Sequence, residues 1–156
     1  MVWGLIAAAL VLAADQISKF YMADTVLDGY SEIILAPFFS LVRAWNTGVS
    51  FSLFNDWGTL GVYILSGFAA AVVLLLLWFM YKEKSRLGQI AFGFIVGGAI
   101  GNIADRVMYG AVFDFLDFHI GEHHWPAFNV ADTFICTGAV LIFISEFLKN
   151  RKKEKK

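Results

Sequence analysis

Three groupings of polar residues and one lone aspartate sit where an otherwise apolar chain would not place them without a reason. Asp15 and Lys19 are four residues apart, so on a helix they share a face and can pair. Asn102, Asp105 and Arg106 follow one another at spacings of three and four. Asn129 and Asp132 are three apart, and Asp114 stands alone, eight residues after Arg106 and eighteen before Asp132. An ionisable group inside an apolar span costs about 2.5–3.5 kcal/mol at a helix centre, so each grouping raises a functional reading by default. Asp114 and Asp132 have no cation close by in sequence. Two such carboxylates brought together in apolar surroundings cannot both ionise and would share a proton, the electronic arrangement of an aspartic protease. For Asp15 and Lys19 a structural ion pair competes with a catalytic role. For Asn102, Asp105 and Arg106 an Asp–Arg pair anchoring the helix competes with substrate binding.

Other chemistries are less well supplied. His119 and His123 are four apart with His124 and Glu122 adjacent, but residues 121–126 read as a turn and no H-E-x-x-H is present. These are read as surface histidines, and no metal ligand set is expected. No serine lies in a G-x-S-x-G context, and Ser18, Ser50 and Ser52 have no evident base. Cys136, the only cysteine, permits no intrachain disulfide and is read as packing.

The elements that must hold these groups follow from composition. Hydrophobic residues make up 59% of the 156 and charged residues 16%, against about 25% charged in a soluble domain. A disordered chain, a disulfide scaffold and a basic nucleic-acid binder are excluded. Four apolar runs, at about 2–23, 60–81, 88–109 and 128–147, approach the roughly 20 residues that cross a bilayer. The first lacks a basic leading region and is interrupted by Asp15 and Lys19, so it reads as a mature span instead of a signal peptide. Gly93, Gly97 and Gly101 form a small-residue ridge suited to close helix packing. Nine of the twelve cations lie between spans two and three or in the tail 148–156, which makes that side, and both termini, cytoplasmic. Two outer segments remain, 24–59 and 110–127. In the first, 38–45 is strand-like, Asn46-Thr47-Gly48 supplies a turn, and Val49, Phe51 and Leu53 alternate with Ser50 and Ser52. In the second, 112–119 is β-like. Trp45, Trp57 and Trp125 fall at expected membrane interfaces. The expected fold is a single membrane α-helical domain of four transmembrane helices, with a small extracytoplasmic β-sheet between spans one and two.

Taken in order, the motifs Asp15-Gln16-Ile17-Ser18-Lys19, Asn46-Thr47-Gly48-Val49-Ser50-Phe51, Gly101-Asn102-Ile103-Ala104-Asp105-Arg106, Val112-Phe113-Asp114-Phe115-Leu116-Asp117-Phe118 and Phe128-Asn129-Val130-Ala131-Asp132 resemble bacterial lipoprotein signal peptidase (signal peptidase II) over essentially the whole chain. The resemblance implies an aspartic endopeptidase of the bacterial inner membrane that cuts diacylglyceryl-modified prolipoproteins on the N-terminal side of the lipidated cysteine. It makes Asp114 and Asp132 catalytic. Asp15, Lys19, Asn46, Gly48, Asn102, Asp105, Arg106, Asn129 and Ala131 match the family's supporting positions. It implies contact with membrane lipid, no metal or organic cofactor, no nucleic acid, and inhibition by globomycin-type cyclic peptides. One departure is visible: Ser50 stands where the family usually has alanine, and serine is small enough to fit. Apart from the resemblance, two readings compete: a small four-span transporter using Asp15, Asp105 and Asp132 as coupling carboxylates, and a subunit that binds signal sequences without cutting them. A transporter should site these groups near the midplane, often with repeat symmetry, and this sequence has neither feature.

Overall fold

Alternation between long apolar runs and short aromatic-rich segments produces helices joined by a sheet. The computed structural model describes residues 1–48 and 58–154. Helix α1 (Val2–Tyr21) closes with a five-residue π-helical turn, Met22–Val26, where Leu27 N–H reaches the Met22 carbonyl at 2.8 Å. Strands β1 (Glu32–Ala36) and β2 (Phe39–Asn46) follow, then α2 (Gly58–Lys82) and α3 (Arg86–Tyr109), strands β3 (Val112–Ile120) and β4 (His123–His124), and α4 (Val130–Glu154). Among the described residues, four helices are long and apolar enough to cross a membrane. The mean hydropathy of α2 reaches 2.5 with little of it buried, as suits a helix facing lipid. α3 is the most buried and packs against the other three.

The glycine ridge explains the α1–α3 contact. A Cβ on Gly97 would stand 2.5 Å from the Ala8 carbonyl oxygen, and one on Gly93 or Gly101 would collide with Gly4 or with the Asp15 carboxylate. Only a residue without a side chain permits this approach, which replaces a hydrophobic driving force with close van der Waals contact. On the far side of α3, Gly98 meets the Ala131 carbonyl of α4 in the same way. At the end away from the sheet, Lys149 of α4 bonds Glu83 at 2.6 Å, tying α4 to the α2–α3 turn.

The sheet is antiparallel in the order β1-β2-β3-β4, so it draws strands from both outer segments and not from the first alone. Asn46 pairs with Val112, Trp45 with Phe113 and Ala44 with Asp114, and the register shifts between Leu41 and Ala44. Leu27, Leu41, Phe113 and Phe115 form its buried core. Both ends of α4 differ from the sequence reading. Phe128 stays extended because it exchanges backbone hydrogen bonds with Leu116, at 2.9 and 3.0 Å, so α4 begins at Val130. At the other end α4 continues to Glu154, and the basic segment to that point is helical. The expected alternation of Val49, Phe51 and Leu53, and Trp57, lie outside the described residues.

Candidate active site

The site begins with how α4 starts. The first N–H groups of a helix have no partner inside it. Here Asn129 and Asp132 supply partners reciprocally: Asn129 Oδ1 accepts from Asp132 N–H at 3.0 Å, and Asp132 Oδ2 accepts from Asn129 N–H at 3.4 Å. This is a capping box built from an amide and a carboxylate. Asp15 Oδ1 takes a third, the Ala131 N–H, at 2.9 Å from α1, placing an anion at the positive end of the helix.

The amide nitrogen of Asn129 then reaches outward. It donates to Asp114 Oδ1 at 2.7 Å, with the Phe113 carbonyl and Asn102 Oδ1 also within range. Asn46 Nδ2 donates to the other Asp114 oxygen at 3.2 Å, and Asn46 Oδ1 accepts from Gly48 N–H, shaping the turn after β2. Asn102 Nδ2 donates to Asp132 Oδ1 at 2.8 Å. Asp114 and Asp132 are therefore brought to one place by β3 and α4 and share Asn129 as a neighbour. Burial first, and the nearby charge of Asp132 second, push the Asp114 carboxyl up to about 7, against the hydrogen bonds from Asn46 and Asn129.

Behind the two aspartates lies a buried ionic cluster. Lys19 Nζ stands 2.9 Å from Asp15, 2.8 Å from Asp105 and 2.9 Å from Asn102 Oδ1. Asp105 also accepts from the backbone N–H of Phe113 at 3.1 Å, fixing the strand that carries Asp114. The expected Asp15–Lys19 pair is present, enlarged by Asp105. The expected Asp105–Arg106 pair is not seen among the described residues. Consecutive helix residues point about 100° apart, so Asp105 turns to Lys19 while Arg106 turns to the cleft. There Arg106 donates to the Gly48 carbonyl at 3.0 Å, and its buried Nε has no hydrogen-bond partner among the described residues.

The sequence reading missed two features. Gln16 bridges Asp15 and Asp105 at 3.1 and 3.0 Å, and its place beside Asp15 in an apolar helix was the available signal. Cys136, expected as packing, is exposed and lines the cleft. It follows Asp132 by one helical turn, so it shares the face that Asp132 presents to the cleft. This cleft, of about 910 Å³, is bordered by Asp114 and Asp132, by Trp45 and Asn46 of β2, by Arg106, and by Thr133 and Thr137 of α4. The arrangement can hold an extended polar chain beside two carboxyls.

The family model described as signal peptidase (SPase) II matches residues 7–148 of this chain. The chain belongs to the signal peptidase II family. Among curated relatives, the lipoprotein signal peptidase of Serratia proteamaculans (strain 568) is 40% identical, covering 94% of this chain and 88% of that protein. That of Anaplasma phagocytophilum (strain HZ) is 39% identical, covering 96% and 94%. A solved structure of a bacterial membrane enzyme, obtained by the in meso method at 2.3 Å, superposes with a TM-score of 0.81 at 27% identity over 98% of this chain and 92% of that one. As a signal peptidase II, the chain is a multi-pass membrane peptidase, and the transporter reading falls away.

Proposed function

We propose that this peptidase is an aspartic endopeptidase of the bacterial inner membrane, with Asp114 and Asp132 as its catalytic pair. Its substrates are prolipoproteins carrying diacylglycerol on the cysteine that follows the cut. The observation that carries this reading is the shared Asn129, which bonds the carboxylate of Asp114 and the backbone of Asp132 within one cleft. One carboxyl of the pair takes a proton from water as it attacks the scissile carbonyl. The other, protonated, polarises that carbonyl and later protonates the leaving nitrogen. The pair titrates as a unit, and the elevation of Asp114 keeps a proton on it up to about neutral pH.

The remaining residues orient the reacting groups. Asn102 and Asn129 hold the carboxyls by donating to them, and Asn46 fixes Asp114 from the sheet. Arg106, which lines the cleft, offers its guanidinium as a donor for a substrate carbonyl. Asp15, Lys19 and Asp105 lock α1, α3, β3 and α4 in register behind the pair. The charge asymmetry supports a reading in which both termini are cytoplasmic and the cleft lies near the outer leaflet, where water is available. The peptide enters laterally along the Thr133–Thr137 face of α4, and the part of segment 30–54 up to residue 48, which carries Asn46, lies over it; residues 49–54 lie outside the described residues. The lipid remains among acyl chains. Globomycin-type cyclic peptides would occupy the same cleft.

The test is incubation of the purified protein with a diacylglyceryl-modified prolipoprotein and mass spectrometry of the products. Release of a signal peptide ending immediately before the lipidated cysteine is expected. Intact substrate, or a cut elsewhere, would overturn the reading.

A further inference from the structure

A second group of polar side chains stands on the sheet, apart from the cleft. Asp117 and His119 are two apart on β3 and so point to the same face. One ligand atom from each, together with a Glu32 carboxylate oxygen from β1, lie within 4.8 Å of one another. His124 of β4 pairs with His119 in register, its ring stacks on that of His119 with centroids 4.8 Å apart, and its Nδ1 stands 2.7 Å from Asp117 Oδ2. Ser40, which faces Asp117 on β2, has its hydroxyl 3.3 Å from His119 Nε2. Two carboxylates and an imidazole thus converge from β1 and β3, with His124 of β4 bonded to one of the carboxylates.

We propose that Glu32, Asp117 and His119, with His124 beside them, form a site for a divalent transition-metal ion of the zinc class. The donor set decides the class. Calcium and magnesium take oxygen ligands, whereas imidazole with carboxylate suits zinc and its neighbours. Zinc bonds nitrogen at about 2.0–2.1 Å and carboxylate oxygen at about 2.0–2.2 Å, so its ligand atoms sit roughly 3.3 Å apart. Closing from 4.8 Å needs only a rotamer adjustment, which exposed Glu32 is free to make. The buried Asp117 carboxylate, whose side chain is 7% exposed, would exchange its His124 partner for the ion.

None of the four residues lines the catalytic cleft, and the ion takes part in no step of hydrolysis. It would instead fasten β1 to the β3–β4 hairpin. That hairpin leads directly into residues 125–128, which form one wall of the cleft, and Phe118 between the two β3 ligands stacks on Phe128 at 6.0 Å. The ion is therefore a clamp on the wall beside the site.

The experiment titrates the full chain, purified in detergent and stripped of metal, with Zn²⁺ by calorimetry, and follows its thermal midpoint in parallel. One ion per chain is expected. The affinity should fall at least tenfold in Glu32→Gln and in His119→Gln, and stay unchanged in His123→Gln, an exposed histidine outside the cluster. Zinc should raise the midpoint of the unaltered chain, because it binds only the folded form, and not that of the Glu32→Gln/His119→Gln variant. If His119→Gln fails to fold, Glu32→Gln alone decides, since its residue is exposed. Absence of saturable one-to-one binding, or binding that Glu32→Gln leaves intact, would overturn the proposal.

Discussion

At the scale of single residues, the proposed pair makes two demands that can be measured. Asp114→Asn and Asp132→Asn should each leave a folded membrane protein and lower turnover by about a thousandfold or more, because an amide can neither accept nor hold the shared proton. Substantial turnover by either purified variant would remove that residue from the chemistry. The second demand concerns pH. Burial, reinforced by the charge of Asp132, raises Asp114 to about 7, so the folded enzyme binds this proton more tightly than a free carboxyl does. The shared proton is present below that value and is lost as pH rises through it. kcat/KM should therefore fall on the alkaline side with an apparent value near 7, and a profile level through that region would detach the pair from the rate. The aspartates themselves were legible in the sequence, since ionisable groups in apolar surroundings stand out by their cost. The directions of Arg106 and Cys136 were not. They depend on which neighbour each face of α3 and α4 meets, and that is a tertiary fact.

At the scale of elements, the glycine ridge sets the spacing between α1 and α3, and through it the position of Asp15. Gly97→Leu should lower the thermal midpoint by the equivalent of about 1–3 kcal/mol, the usual cost of overpacking. Activity should decline with it, because displacing α1 withdraws Asp15 and Lys19 from α4 and α3. Thermal unfolding and cleavage rate, measured on the same preparation, check this; a variant as stable and active as the parent would show that the contact can relax. The four spans were readable from hydropathy alone, and β2 and β3 from their aromatic and β-branched runs. Their mutual pairing was not readable. Asn46 and Asp114 are separated by 68 residues, and no local pattern encodes a partner so distant. The start of α4 was misjudged by two residues for a related reason: Phe128 is apolar enough to extend the span, yet its backbone is engaged by Leu116.

At the scale of the whole molecule, four helices hold an open cleft at one end while Lys149 and Glu83 fasten the other. A substrate anchored in the bilayer would meet this cleft at a fixed depth, each buried CH₂ of its acyl chains contributing about 0.8 kcal/mol to that anchoring. The same precursor without diacylglycerol should be cut far more slowly in one detergent, and equal rates would sink both lateral entry and lipid-dependent specificity. The cap on α4 has a further consequence. The bonds that begin this helix are the bonds that assemble the two aspartates, so the helix terminus cannot fray while the site stays whole. The Asp132 amide hydrogen should then be among the slowest in α4 to exchange with deuterium, where a first-turn amide would ordinarily be among the fastest. Its exchange rate would count the moments when the enzyme is out of service.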